Sequence, residues 1–106
     1  MKKDAKSTVI RGVLEEELER NSRMTKRYID ELEQLPKGSV MLRKIGNQEY
    51  FYLKYRENKK IISKYIGQKT EINIKEIKEK IQKRKHVEGV LKNLSLEEKE
   101  ILKALR

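Results

Sequence analysis

The chain has 106 residues, 42% charged and 36% hydrophobic, with 27 Lys and Arg against 17 Asp and Glu and a formal net charge of +10. A chain of this length supports one modest core with its apolar residues confined to stripes, and no stretch of it approaches the roughly 20 apolar residues that span a bilayer. With no cysteine it can hold neither a disulfide framework nor a thiolate metal site, so a single cytoplasmic domain without membrane association is expected.

Residues 1–6 are polar and expected to fray. Over 7–35 the spacing predicts a long helix. Ile10, Leu14, Leu18, Asn21, Thr25, Tyr28, Leu32 and Leu35 recur three and four residues apart, as in a coiled coil, and Ile10, Leu14, Leu18, Tyr28 and Leu32 form the candidate seam for a partner helix or a dimer. Asn21 and Thr25 interrupt that seam. Glu15, Glu16, Glu17 and Glu19 precede Arg20, Arg23, Lys26 and Arg27, so pairs such as Glu16–Arg20 and Glu19–Arg23 are available in the favourable sense. A helix of this length runs about 42 Å, more than a small core needs, so its far end should project or find another helix. Pro36 stops it, because the residue before a proline is pushed out of the α region.

Residues 38–67 predict a three-stranded antiparallel meander. Three runs of β-branched and aromatic residues are separated by Gly46-Asn47 and by Arg56-Glu57-Asn58-Lys59. Four of the five tyrosines and the one phenylalanine fall here. Over residues 37–69 nine basic side chains face two acidic ones, a surplus of seven, whereas residues 1–36 balance and residues 70–106 carry a surplus of three. Strand alternation leaves two possible faces. The expected arrangement has Phe51, Leu53, Ile62 and Ile66 inward, with Tyr50, Tyr52, Lys54 and Tyr65 outward.

A second helix is expected over 73–94, with Lys83-Arg84-Lys85-His86 as a gap in its apolar face. Ser95-Leu96-Glu97-Glu98 reads as a capping box that starts a separate short helix over 96–105. The fold class is therefore α+β: a long first helix, a meander, and a C-terminal helix or helix pair packing with the first helix.

Little here supports catalysis. His86 is the one histidine and lies in a basic run, and there is no HExxH, CxxC, glycine-rich phosphate loop or GxSxG element. The glutamates at 15–19 point to different sides of a helix and read as a solvated face. No metal site, cofactor or enzymatic activity is expected. The stronger constellation is aromatic residues interleaved with cations on a small sheet. Cations meet phosphates and release counterions, a β-ribbon can enter a major groove, and tyrosines can stack on single-stranded bases. The candidate nucleic-acid contacts are Arg43, Lys44, Tyr50, Tyr52, Lys54, Arg56, Lys59, Lys60 and Lys64.

The run GSVMLRKIGNQEYFYLKYRENKKIISKYIG resembles the three strands of the arm-type DNA-binding domains found at the N-terminus of phage and transposon tyrosine recombinases. The matching pieces are Tyr50-Phe51-Tyr52, the charged turn Arg56-Glu57-Asn58-Lys59-Lys60, and Lys64-Tyr65-Ile66-Gly67. The resemblance covers about 30 residues and implies a sheet lying in the major groove, with Arg43, Lys54, Arg56 and Lys64 as contacts. No recombinase catalytic domain follows, so recombination itself is not expected. The layout also resembles small uncharacterised proteins of bacteria, archaea and their mobile elements, a likeness that brings no activity with it. The leading expectation is a small DNA-binding protein of a mobile element or its host. The alternatives are a phage-encoded inhibitor that binds a host defence complex through helices and sheet, and a homodimeric coiled-coil scaffold.

Overall fold

Five elements follow one another in the computed structural model, which describes residues 5–106, with side chains from Thr8. They are α1 (Ala5–Glu33), β1 (Ser39–Ile45), β2 (Gln48–Glu57), β3 (Lys60–Gln68) and α2 (Ile74–Leu105). The architecture is α+β with a three-stranded antiparallel sheet in the order β1-β2-β3. α1 begins at Ala5, so the last two of the six residues expected to fray are helical, while the first four lie outside the described residues. Among the described residues no helix is long and apolar enough to cross a membrane.

The described residues gather into two compact units, one joining α1 to the part of α2 from Val87 onward, the other formed by Gln34–His86. In the helical unit α1 and α2 run antiparallel. Asn21 Nδ2 donates to the Leu94 carbonyl at 2.8 Å, and ten residues earlier Arg11 Nη1 donates to the Leu105 carbonyl at 3.2 Å. The second of these satisfies one of the carbonyls that a helix leaves unpaired at its end. Asn21, expected to interrupt the seam, is only 1% exposed. It therefore belongs to the core, with its side-chain oxygen accepting from Thr25 Oγ1 at 3.4 Å. A buried amide of this kind holds two helices in one register at some cost in stability. Of the candidate seam residues, Leu14, Leu18, Tyr28 and Leu32 are half-buried, whereas Ile10 is exposed together with Val9 and Val13.

The largest difference from the sequence expectation is in α2, which runs unbroken from Ile74 to Leu105 with no new start at Ser95. Val87, Leu94 and Ile101 are all buried and seven residues apart. Only an uninterrupted helix keeps that spacing in one stripe. A cap at Ser95 would require non-helical backbone there and would turn Ile101 away from the stripe. Burial of two large aliphatic side chains, worth about 1.5–3 kcal/mol each, outweighs a capping preference of about 1 kcal/mol. Ile74 and Ile81 form another seven-residue pair, and the two series are joined by a step of six that falls on Lys83–His86. That step is the gap seen in the sequence. Asn73 caps the start of α2, accepting from the Glu76 amide at 3.3 Å.

In the sheet unit Phe51 and Leu53 on the central strand and Ile81 on α2 form the core, each 7% exposed. The chain enters the sheet through Gly38 at φ 101°. A Cβ on this residue would press into the Lys54 carbonyl oxygen and lie 2.9 Å from Tyr55 Cβ, so glycine is required here for its conformation and for the close approach of β2. Leu35, just before Pro36, leaves the helix, and its carbonyl accepts from Arg84 Nη1 at 2.7 Å. The β1–β2 turn is Gly46-Asn47, since Ile45 pairs with Gln48. The β2–β3 turn is tighter than expected: Glu57 pairs with Lys60, leaving Asn58 and Lys59 both at positive φ, 49° and 67°. Near its end β3 has a bulge, because Tyr65 pairs with Tyr52 and Gly67 with Phe51, leaving Ile66 as the extra residue.

Candidate nucleic-acid interface

Cross-strand partners share a face, so the register fixes which side chains stand together. Arg43 pairs with Tyr50 and Met41 with Tyr52 across β1–β2. Tyr52 pairs with Tyr65, Lys54 with Ser63, and Arg56 with Ile61 across β2–β3. These residues make up the face opposite buried Phe51 and Leu53, here termed the outer face. Tyr65 and Ile61 on it are 54% and 59% exposed.

The outer face carries Arg43, Lys54 and Arg56 and no carboxylate among these described strand positions. The two acidic residues of the segment, Glu49 and Glu57, alternate to the other face and are both paired. Lys69 Nζ lies 2.8 Å from Glu49 Oε2, and Lys37 Nζ lies 3.8 Å from Glu57 Oε1 and 4.8 Å from the Tyr55 ring centre. The hydrogen bond from Lys69 and then its charge hold the Glu49 carboxyl below the ordinary carboxylate range, against a smaller upward push from burial. Strand alternation thus keeps both acids off the outer face, leaving that face uniformly positive, while Lys44, Lys60 and Lys64 share the other face with the acids.

The aromatic residues of that face touch one another. The Tyr65 ring centre is 5.6 Å from Tyr52 in an edge-on arrangement and 6.1 Å from Tyr50, and the Arg43 guanidinium lies 5.1 Å from the Tyr52 ring centre. Such contacts fix ring and guanidinium orientation before any ligand arrives. An arginine held over a ring still has its planar donor edge available for phosphate or for guanine O6 and N7.

Five of the nine candidate contacts, Arg43, Tyr50, Tyr52, Lys54 and Arg56, stand on this face. Lys59 is at the hairpin tip. Lys44, Lys60 and Lys64 are not on it: they pair with Glu49, Glu57 and Leu53, on the opposite face. Lys64 in particular cannot act beside Arg43 and Lys54 in the way the arm-domain resemblance implies. Tyr65 takes that place, although it was not among the candidate contacts. The signal was available in the sequence, because adjacent residues of a strand cannot share a face and Tyr65 follows Lys64. Among the described residues no group of three His, Cys, Asp or Glu side chains is gathered as a metal site requires.

Neither a curated protein nor a solved structure matches the chain. The sequence profile of a domain of unknown function, DUF6788, matches residues 12–80. The matched span contains the whole sheet, with α1 from Gly12 and the first turns of α2. Because it covers more than half of the sequence, the chain belongs to the DUF6788 family.

Proposed function

We propose that this protein binds nucleic acid, duplex DNA in the first instance, through the outer face of its sheet. On this reading it is a small cytoplasmic DNA-binding protein of a mobile element or its host, without enzymatic activity. The observation that carries the reading is a carboxylate-free face: three cations and three tyrosines joined through Tyr65 stand on it, with both acids of the segment on the other face. Three strands spaced about 4.8 Å apart make a ribbon about 10 Å across its strand axes, close to the roughly 12 Å width of the B-DNA major groove. The likeness of residues 38–67 to arm-type DNA-binding domains supports the same use.

A titration of labelled duplex and single-stranded DNA at two salt concentrations tests it. Arg43, Lys54 and Arg56 each meeting one phosphate give a slope of log K against log salt of about −2.7. Micromolar duplex binding with a slope of that order is the expected result. No binding at low salt, or binding indifferent to salt, removes the proposal. Binding confined to single strands removes its duplex part and leaves the tyrosines as stacking platforms.

A further inference from the structure

Within the sheet unit the entry turn of β1 and one flank of α2 enclose a depression of about 240 Å³. Gly38 lines it from the turn and Ser39 and Val40 from the start of β1; Lys78, Gln82 and Lys85 line it from α2, with Ile81 beside them. Ile81 is 7% exposed, so one wall is apolar. The lining residues include two lysines, a serine and a glutamine and no Asp or Glu. Lys78 and Lys85 are seven residues apart, two turns and about 10.5 Å along the axis, and project from the same flank of the helix. Neither makes an ion pair among the described residues, whereas Lys80, between them, is held 3.4 Å from Glu76.

Two unpaired cations at one depression repel each other, an arrangement that an anion between them relieves. The volume is below the roughly 300–1,000 Å³ of pockets that enclose a drug-sized ligand, so it suits a charged group and not a whole cofactor. Flexible lysine stems can bring both ammonium groups to one tetrahedral anion, with Gln82 Nε2 as a neutral donor. We propose that this depression is a phosphate-binding site, held by Lys78 and Lys85 with Gln82, beside the backbone of Gly38 and Ser39. Lys78, Gln82 and Lys85 all belong to α2 and none stands on the outer face of the sheet, so the site stands or falls independently of the function proposed for that face. The phosphate has two possible sources: a phosphodiester of bound nucleic acid, or a free phosphate or phosphomonoester.

The test uses the full chain, isotope-labelled for NMR, titrated with inorganic phosphate at constant ionic strength against a chloride control. A saturable shift of the Gly38, Ser39 and Gln82 amides is expected with phosphate and absent with chloride. The Lys78→Gln/Lys85→Gln double variant should fold as the parent does, since both side chains are exposed. It should raise the apparent Kd for phosphate by roughly tenfold or more, because it removes both charge-assisted contacts. A short duplex added in a second arm identifies the source. Movement of the same amides, with phosphate competing, assigns the site to a phosphodiester; phosphate binding untouched by duplex assigns it to a free phosphate. Shifts spread over all lysine-bearing segments, no saturation, or an unchanged Kd in the double variant overturns the proposal.

Discussion

The Glu49–Lys69 pair, 2.8 Å between charged atoms, ties the first residues of β2 to the chain just beyond β3, where the Lys69 amide also donates to the Glu49 carbonyl at 2.9 Å. A partner that holds the carboxylate charged lowers its pKa in the folded chain below the ordinary value of 4.5. The sign follows from that direction. In the unfolded chain Glu49 takes up its proton first as pH falls, so the pair stabilises the fold above the ordinary carboxylate range and ceases to do so as pH drops through the depressed folded value. Replacing Glu49 with Gln should therefore lower the melting temperature slightly at pH 7, since pairs this exposed contribute little. As pH falls through the depressed folded value the gap to the parent should close. Melting curves of both proteins at pH 7 and at a series of acidic pH values check this. A gap that persists in acid means that the residue matters for packing and not for its charge.

At the scale of elements the β2–β3 hairpin carries a conformational cost. A two-residue turn with both residues at positive φ is the arrangement for which Asn-Gly is preferred. Asn58 fits it, but Lys59 at φ 67° does not, because a Cβ in the left-handed region costs about 1–2 kcal/mol. Against this, glycine loses more chain entropy on folding, about 0.5–1 kcal/mol. Lys59→Gly should thus stabilise the protein by about 0.5–1 kcal/mol, read as a higher urea midpoint with an unchanged slope. A lower midpoint would show that the lysine side chain makes a stabilising contact at the tip. The same hairpin shows what the sequence makes legible. Alternation of Phe51 and Leu53 with Tyr50, Tyr52 and Lys54 reduces the faces to one binary choice, which the burial of Phe51 and Leu53 decides. The tight turn was not legible, since Lys59 is the wrong residue for it and a four-residue loop was the natural reading. α2 was misread for a related reason: a local pattern of four residues at Ser95 looked decisive, while the opposing evidence was the seven-residue spacing of Val87, Leu94 and Ile101. Its weight becomes visible only when those side chains are seen to be buried. Likewise Asn21 was a polar interruption until its partner, the Leu94 carbonyl, was known.

For the molecule as a whole the open alternative to a dedicated face is diffuse attraction, in which a net charge of +10 draws any polyanion without regard to where the lysines are. The sheet allows these to be separated. Arg43 and Lys54 stand on the outer face, and Lys44 and Lys64 stand on the other. Changing either pair to Gln takes the net charge from +10 to +8, so the long-range attraction falls equally in the two variants. All four side chains are exposed, so both variants should keep nearly the parent's melting temperature. What differs is the face on which phosphate contacts can form. The Arg43→Gln/Lys54→Gln variant should lose about tenfold or more in duplex affinity and about 1.8 from the magnitude of the salt slope, two contacts' worth. The Lys44→Gln/Lys64→Gln variant should lose only a small factor and keep the slope. Equal losses in the two proteins would mean that the duplex responds to total charge. The register that gathers Arg43, Lys54, Arg56 and the three tyrosines would then serve the fold and not recognition.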